Sequence, residues 1–378
     1  MLPTLPEASV QCVVTSPPYW GLRDYGVGGQ LGLEPTPEAY VAAMVGVFRA
    51  VRRVLRADGT LWLNMGDSYA TGTTAERNPT SIEGPDVPAS WAGRSQPIRC
   101  GTPGGFKTKD LVGMPWRLAF ALQADGWYLR ADIIWAKPNP MPESVTDRPT
   151  KAHEYVFLLT KSARYFYDAD AVREPQLEPG RIQRHGNGIR HDATRDSLRV
   201  DHVRTESAYH PAGRNLRSVW TIPSAPFPEA HFATFPPALA SRCIQAGTSE
   251  RGCCAACGAP WERQTDVAYY SSTYGDSVRP DRPGSNDEKG GGDEFGVKRF
   301  EERKRRIATT TGWHPSCACD AAVMPCTVLD PFGGSGTVGA VAEGLGRHSV
   351  LVELSPAYVA MAERRTAQYG LFTQAPPG

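Results

Sequence analysis

The chain has 378 residues, enough for one large α/β domain with insertions or for two domains. Its 41 basic and 40 acidic residues give a net charge of +1, so any nucleic-acid contact must come from local patches. No apolar run approaches the roughly 20 residues of a membrane helix, and the N-terminus lacks a signal-peptide pattern. Nine cysteines favour free thiols and metal over disulfides, so we expect a cytoplasmic protein without a membrane partner.

The first informative stretch is TSPPYW at residues 15–20, which follows an apolar run that indicates a buried strand. Pro17 and Pro18 end the strand and fix a stiff corner, and Ser16 is held extended because a proline follows it. The corner offers the Ser16 hydroxyl, the Pro17 carbonyl and the ring of Tyr19. It could hold a planar amino group between two acceptors, although a plain proline turn capping a strand is the alternative.

The middle of the chain predicts alternating helices and strands. Asn64 and Asp67, at the carboxyl end of one predicted strand, are candidates for a cofactor rim, with an Asx turn as the alternative. Residues 70–109 are rich in Gly, Pro, Ser and Thr and predict a long mobile loop. The predicted elements are a helix capped by Thr36, a turn at 57–59, a strand at 60–65, a helix at 111–124, a strand at 127–135, a buried strand at 152–160 and its hairpin partner at 164–168. Four polar residues beside the last strands are interpreted either as loop and strand-end groups or as site residues: Lys137, Asn139, His153 and Glu154.

A charge-rich segment follows at 171–217, with nine arginines, no lysine and six acids. Such a segment is usually a solvated loop. The sequence HFATFPPAL then precedes a predicted helix at 238–246.

Two cysteine pairs, C-x2-C and C-x-C, fit a tetrahedral Zn²⁺ ion held by four thiolates. The four candidate ligands are Cys254, Cys257, Cys317 and Cys319, with Cys253 or His314 as possible substitutes. We interpret this zinc knuckle as structural, and the Gly-rich, charged stretch 269–306 between the pairs as disordered.

Near the far end, DPFGGSGT at residues 330–337 lies between a predicted strand at 326–329 and a predicted helix at 338–345. A second strand at 348–352 then ends in Glu353. Strand, glycine turn and helix present backbone N–H groups to a ligand, and an acid about 20 residues later suits a ribose diol. The unit predicts a nucleoside-containing cofactor, with candidate contacts at Asp330, Pro331, Phe332, Gly334, Ser335, Gly336, Thr337 and Glu353.

TSPPY combined with DPFxGSGT resembles the amino-methyltransferases that act on exocyclic amines of DNA bases. The order, catalytic motif first and cofactor motif last, resembles their permuted beta class, and KPNPMP with RPTKAHEYVFLL is similar to the same enzymes. The resemblance implies a Rossmann-like α/β sheet, mostly parallel with an antiparallel hairpin strand, circularly permuted, with an inserted recognition region and a small zinc knuckle. It implies S-adenosylmethionine as cofactor, double-stranded DNA as partner, and leaves room for a cognate restriction endonuclease.

The resemblance also assigns roles along the chain. Ser16, Pro17, Pro18 and Tyr19 become the catalytic corner. Phe235 and Pro236 would shape the methionine pocket of the cofactor site. Family members usually begin with a further strand near the adenine, for which residues 1–8 are too short. We therefore expect either a sheet that lacks one edge strand or a true start that precedes Met1. The implied divisions are a catalytic half at 1–170, a target-recognition region at 171–217, a cofactor half at 218–250 and 321–378, and a zinc insert at 251–320.

A serine in place of an acid at the corner favours cytosine N4 as the target over adenine N6, which stays as the alternative. An enzyme acting on RNA or on a protein glutamine amide would also use a PPY corner, usually with the cofactor motif first. An inert DNA- or zinc-binding module that has lost cofactor affinity is a further alternative. A nicotinamide dehydrogenase is disfavoured because the glycine turn lacks the GxGxxG spacing.

Overall fold

The computed structural model describes residues 2–22, 24, 26–70, 106–175, 183–185, 205–207, 213–225, 235–272 and 303–370. Most of the predicted mobile loop and much of the predicted target-recognition region therefore lie outside the described residues. The chain divides into two compact units, Met1–Val172 with Arg217–Arg263 and Trp313–Gly378, and Arg173–Leu216 with Gln264–Gly312. No helix in the described ranges has the length and apolar character needed to cross a membrane.

The helices are α1 (Pro37–Val54), α2 (Met114–Ala124), α3 (Pro237–Gly247), α4 (Thr337–Gly344) and α5 (Pro356–Gly370), with 3-10 turns at Leu2–Thr4 and Asp170–Val172. The strands are β1 (Val10–Thr15), β2 (Leu55–Met65), β3 (Tyr128–Ala136), β4 (His153–Thr160), β5 (Gln183–His185), β6 (Thr205–Ser207), β7 (Val219–Thr221), β8 (Cys253–Cys254), β9 (Trp261–Ser272), β10 (Arg303–Pro315), β11 (Val323–Met324), β12 (Thr327–Asp330) and β13 (His348–Leu351).

Seven strands form one sheet in the order β13-β12-β1-β2-β4-β3-β7. Neighbouring strands are parallel except where β4 pairs with β2 and with β3. The central strand β1 is buried along its whole length, as a parallel strand covered on both faces should be. The predicted mostly parallel α/β sheet with an antiparallel strand is confirmed. Among the described strands, none pairs with the outer edge of β13.

Alternate residues of the central strands face two helical layers. Val13 and Leu61 belong to the core cluster that also contains Met44 and Phe48 of α1 and Leu118 of α2. On the other face, α3 packs against β1 and β2, and α4 packs against α3 and α5. The contact of α3 is close because a Cβ at Gly247 would lie 2.7 Å from Cys12 Sγ. Helices therefore cover both faces of the sheet.

The start of α1 follows the prediction. The Thr36 hydroxyl accepts a hydrogen bond from Ala39 N at 3.1 Å, which satisfies one of the free amides of the first turn. Pro37 occupies the first helical position, where its missing N–H costs nothing, and Glu38 places an acid near the positive helix end.

The predicted turn at 57–59 is wrong, because β2 is continuous from Leu55. The pairing of β1 with β2 shifts between Val10, opposite Leu55, and Cys12, opposite Thr60. The extra residues of β2 form a bulge rather than a turn between elements. Arg56 Nε donates to Asp58 Oδ1 at 2.9 Å across this bulge.

Three other sequence expectations need correction. The stretch 164–168 is not the hairpin partner of β4, since β2 and β3 already occupy both of its edges. The predicted helix at 111–124 begins only at Met114, because Leu111 instead forms a bridge with Tyr69. The predicted disordered stretch 269–306 is ordered at both ends, where β9 and β10 pair as a two-stranded sheet. Residues 273–302 lie outside the description.

Candidate active site and thiolate cluster

The two ends of the chain meet at adjacent strands. Strands β1 and β12 are parallel neighbours, with Cys12 opposite Val328 and Val13 opposite Leu329. Because they run in the same direction, the TSPPYW corner and the glycine turn leave the sheet at the same edge. Thr15 is the last residue of β1, and its Oγ1 donates to Asp330 Oδ1 at 2.6 Å. The two predicted motifs are therefore joined by a buried hydrogen bond.

The buried Asp330 side chain forms hydrogen bonds that hold the start of the glycine turn. Its Oδ1 also accepts from Phe332 N at 3.0 Å, which bends the chain away from the strand. Burial raises the pKa of the Asp330 carboxyl to about 7, opposed by the hydrogen bonds from Thr15 and Phe332. The side chain is 4% exposed, so it serves the turn from inside the protein and offers little surface to a ligand.

The glycine turn is shaped by two left-handed residues, Gly334 with φ +49° and Gly336 with φ +79°. A Cβ at Gly336 would lie 2.7 Å from Ala362 of α5, so only glycine lets the turn and α5 pack this closely. Arg365 of α5 donates to the Ser335 carbonyl at 2.8 Å and to Thr337 Oγ1 at 3.0 Å. Helix α5 thus holds the turn in place from one side.

Glu353 lies against the same turn. Its Oε2 accepts from Gly334 N at 2.8 Å. Its Oε1 accepts from Leu354 N at 2.9 Å and from Ser355 N at 2.8 Å. The carboxylate is therefore positioned by three backbone amides at the carboxyl end of β13, beside the turn.

The proline corner presents a set of polar groups linked by hydrogen bonds. Ser16 Oγ donates to Tyr19 Oη at 3.4 Å, and Tyr19 Oη donates to Glu154 Oε2 at 2.7 Å. Asn64 Nδ2 donates to the same Glu154 oxygen at 3.1 Å, and Lys137 Nζ donates to Glu154 Oε1. Burial, and next the nearby Glu154 charge, raise the pKa of Tyr19 well above its ordinary value, so the phenol is protonated.

Two backbone carbonyls of the corner, those of Pro18 and Tyr19, are already engaged in hydrogen bonds within the protein. Tyr40 Oη donates to the Pro18 carbonyl at 2.8 Å, and Leu22 N donates to the Tyr19 carbonyl at 3.2 Å. Within the described residues the Pro17 carbonyl receives no hydrogen bond. Gly66 lets the Tyr19 ring lie against β2, because a Cβ there would be 2.7 Å from Tyr19 Cε2. Ser16 and Pro17 are thus the acceptors that the corner can offer to a ligand.

Asp67, predicted at the cofactor rim, is engaged elsewhere in the fold. Its carboxylate accepts from Gly113 N at 3.1 Å and from Met114 N at 3.0 Å, and so caps the start of α2. Gly113 has φ +74° and no side chain that could cap the helix itself. Asp67 therefore explains why α2 begins where it does.

Phe235 and Pro236 lie at the start of α3. Pro236 occupies the N-cap position, and its carbonyl accepts from Leu239 N at 2.9 Å. Phe235 is half-buried. The residues just before them, 226–234, lie outside the described part, so the rest of the HFATFPPAL motif has no description here.

The role of Glu154 was underrated by sequence reasoning, which left its function open along with that of Lys137. The structure brings Glu154 to Tyr19 and Lys137 to Glu154, the latter because β3 and β4 are paired and place Trp135 opposite Glu154. Lys137 Nζ also lies over the Trp135 ring, 4.3 Å from its centroid. The one sequence indication was the position of Glu154 at the start of a buried strand that runs against its neighbours.

The four predicted cysteines come together away from the corner. The Sγ atoms of Cys254, Cys257, Cys317 and Cys319 all lie within 4.8 Å of one another. A tetrahedral zinc with Zn–S bonds of about 2.3 Å requires sulfur separations of about 3.8 Å, so a small contraction would suffice. Cys254 is buried and Cys319 exposed, which places the cluster at the protein surface. The alternatives Cys253 and His314 are not part of the cluster found among the described residues.

The amino-acid sequence also matches a known protein family. The family model of the N6/N4 DNA methylases matches residues 10–255 and 326–364. The chain belongs to this DNA methylase family. The matched residues include both the proline corner and the glycine turn, whereas three of the four clustered cysteines fall in the unmatched segment 256–325.

Individual relatives cover nearly the whole chain. The Type II methyltransferase M.XycI of Xanthomonas campestris pv. cyanopsidis is 40% identical over 365 residues, spanning 97% of this chain and 84% of that protein. The Type II methyltransferase M.SmaI of Serratia marcescens is 38% identical over 354 residues, spanning 94% of this chain and 83% of that protein. Among solved structures, the cytosine-N4-specific PvuII DNA methyltransferase aligns with a TM-score of 0.49 and 16% identity, over 98% of this chain and 87% of that one.

Proposed function

We propose that this DNA methylase transfers a methyl group from S-adenosylmethionine to the exocyclic amine of a base flipped out of double-stranded DNA, with cytosine N4 as the target. The observation that carries the proposal is the Thr15–Asp330 hydrogen bond at 2.6 Å, which holds the acceptor corner beside the glycine turn. The chain order, corner first and turn last, corresponds to the permuted beta class of these enzymes.

The cofactor is assigned to the glycine turn and the end of β13. A Cβ built on Gly334 would meet no atom closer than 3.9 Å, which leaves the space above the turn open to a ligand. Gly336 precedes α4, so the positive end of that helix faces the same space. Glu353 would take the ribose hydroxyls, with Phe235 and Pro236 beside the methionine part. Bound there, S-adenosylmethionine would supply an electrophilic methyl group.

The corner is assigned to the target amine. The lone pair of an exocyclic amine is delocalised into the base ring, so the amine is a poor nucleophile. Two acceptors directed at its hydrogens, Ser16 Oγ and the Pro17 carbonyl, would free the lone pair for in-line attack. Stacking on Tyr19, worth about 1–3 kcal/mol for a base on an aromatic ring, would offset much of the cost of flipping the base.

Analysis of the product tests the choice of base. DNA methylated by the purified protein is digested to nucleosides and separated by HPLC, and we expect N4-methylcytosine. N6-methyladenine in its place would transfer the assignment to the adenine-N6 alternative. Substitution of Ser16 by alanine should lower the single-turnover rate by at least about 100-fold. Ser9→Ala, at the opposite end of β1 where the hydroxyl bonds the Pro6 carbonyl at 2.8 Å, is the matched control.

An inert module is the second candidate, on the ground that the sheet ends at β13 and offers no further strand to the adenine among the described residues. Isothermal titration calorimetry with S-adenosylmethionine separates the two. Binding supports the enzyme, and its absence in the purified, folded protein supports the inert module.

The cysteine cluster is assigned to a structural Zn²⁺ ion. Four thiolates leave no open coordination position for a substrate, so the ion would hold β8 and the turn after it against the segment at 317–319. By likeness to the Type II methyltransferases, we further propose that a cognate restriction endonuclease recognises the same DNA site. Protection of expressing-host DNA from that nuclease would test the pairing.

A further inference from the structure

Hydrogen-bond direction at the proline corner is dictated by Glu154. A carboxylate can only accept, and the single hydroxyl proton of Tyr19 goes to Glu154 Oε2 at 2.7 Å rather than to the more distant acceptor Asn64 Oδ1 at 3.3 Å. Tyr19 Oη is then left as an acceptor, and Ser16 Oγ donates to it at 3.4 Å. The single proton of Ser16 is thereby used inside the protein. The lone pairs of Ser16 Oγ can then act only as hydrogen-bond acceptors.

This direction matters because a serine hydroxyl is by itself both a donor and an acceptor. If its proton pointed at the target amine, it would compete with the amine hydrogens rather than hold them. The chain Ser16–Tyr19–Glu154 removes that competition. It also connects the amine to a carboxylate that lies one side chain behind the corner.

We propose that Glu154, acting through Tyr19, orients Ser16 as an acceptor and takes up the proton that the amine releases on methylation. The inference rests on the proposed function and names the positioning residue and proton acceptor of that same site. Tyr19 thereby has a second role, carried by its hydroxyl, besides the stacking assigned to its ring.

One proton must leave the amine after methyl transfer, and the hydrogen bonds described above provide its path. When the amine nitrogen gains the methyl group it carries a positive charge, which it loses by breaking one N–H bond. That proton passes to Ser16 Oγ, the Ser16 proton passes to Tyr19 Oη, and the Tyr19 proton passes to Glu154. The product is a neutral methylated amine and a protonated Glu154, and no metal or oxidant is required.

The surroundings of Glu154 suit this role. Lys137 and Asn64 donate to it, so both carboxylate oxygens are held in place as acceptors before substrate arrives. The side chain of Glu154 is 15% exposed and that of Lys137 is 18% exposed, so the proton can return to water after turnover. Asn64 is held in turn by the Tyr155 carbonyl at 3.1 Å, which keeps its donor directed at Glu154.

The test compares Tyr19→Phe, Glu154→Gln and the double variant in single-turnover methyl transfer to DNA. Tyr19→Phe keeps the ring and the Lys137–Glu154 ion pair but breaks the chain of hydroxyls. We expect each single variant to be slowed by about 100-fold or more, with S-adenosylmethionine affinity and the KM for DNA changed less than about 3-fold. The double variant should be no slower than the slower single variant, because each single substitution already interrupts the same Ser16–Tyr19–Glu154 chain. Glu154→Asp should recover part of the rate, and Glu143→Gln, an exposed acid paired with Arg148, is the control that should keep the full rate.

The outcomes separate this inference from the proposed function. If the wild-type chain methylates DNA and Tyr19→Phe and Glu154→Gln keep rates within about 3-fold of it, the relay is wrong while the methyltransferase stands. Multiplicative losses in the double variant, or losses that appear only as weaker DNA binding, also overturn the relay. Absence of methyl transfer by the wild-type chain overturns the function itself.

Discussion

Thr15 Oγ1 and Asp330 Oδ1 are 2.6 Å apart although 315 residues separate them in the chain. Thr15 ends β1 just before the acceptor corner, and Asp330 ends β12 just before the glycine turn. A bond between the last residues of two parallel neighbours fixes the relative height of the loops that follow. It is the local contact on which methyl transfer between the two loops would depend.

Burial of the Asp330 carboxyl gives the fold a pH dependence. Burial raises the Asp330 pKa from 3.8 to about 7, so the folded protein binds this proton more tightly than the unfolded chain does. The stability that comes from binding this proton is fully present at a pH below the Asp330 pKa of the unfolded chain. It is lost as the pH rises through the Asp330 pKa of the folded protein. Between pH 5 and 7.5, urea unfolding should therefore show a loss of about 2–3 kcal/mol that Asp330→Asn lacks.

Asp132→Asn, at an exposed position of β3, is the control and should follow the wild-type pH curve. If the Asp330→Asn variant loses stability over this pH range as steeply as the wild type, the carboxyl titrates elsewhere and the burial argument is wrong.

The capping role of Asp67 predicts a stability effect without a binding effect. Asp67→Ala removes the acceptor of the Gly113 and Met114 amides and should destabilise the protein by about 1 kcal/mol, within the 0.5–2 kcal/mol range of lost caps. Thr36→Ala, which removes the cap of α1, should cost a similar amount. Calorimetry should give equal S-adenosylmethionine affinity for Asp67→Ala and wild type; a tenfold loss would restore Asp67 to the cofactor rim.

The cysteine cluster predicts a defined metal content. Protein purified without chelator should carry about one zinc per chain by plasma mass spectrometry, and Cys257→Ser should lose most of it. Cys243→Ser, a buried cysteine of α3 outside the cluster, should keep the full zinc content. Because an ion that binds only the folded state stabilises it by mass action, added chelator should lower the melting temperature of the wild type. A metal-free wild type with an unchanged melting temperature would refute the site.

The packing of Gly336 predicts a difference between two glycines of one turn. A Cβ at Gly336 would overlap Ala362, whereas one at Gly334 would meet only the Phe332 carbonyl oxygen at 3.9 Å. Gly334→Ala should lower the free energy of unfolding only by the left-handed backbone penalty, about 1–2 kcal/mol. Gly336→Ala should lower it by about 1–3 kcal/mol more, because of overpacking. Equal urea midpoints for the two variants would show that α5 moves aside without cost.

The sequence was sufficient for elements with strong local patterns. The Thr36 cap with Pro37, the two prolines after β1 and the glycine turn after β12 each determine a backbone shape by themselves, and the structure has each of them. The structure adds that the loops after β1 and β12 leave the sheet at the same edge, because the two strands are parallel neighbours.

What the sequence could not supply depended on tertiary pairing. The bulge of β2 looks like a turn until β1 is placed beside it, and the stretch 164–168 looks like a strand until both edges of β4 are filled. Asp67 could not be assigned to the cap of α2, because the contact joins residues separated by a long predicted loop. Glu154 stayed ambiguous for the same reason, since its partner Tyr19 is 135 residues away.

The position of β1 has a consequence for synthesis on the ribosome. One of the two edges of this strand is filled only by β12, which follows it by more than 300 residues in the chain. A nascent chain of this protein therefore carries an unpaired apolar edge until β12 has been made. Such an edge invites association with other chains, so we expect demand for chaperones until β12 has left the exit tunnel.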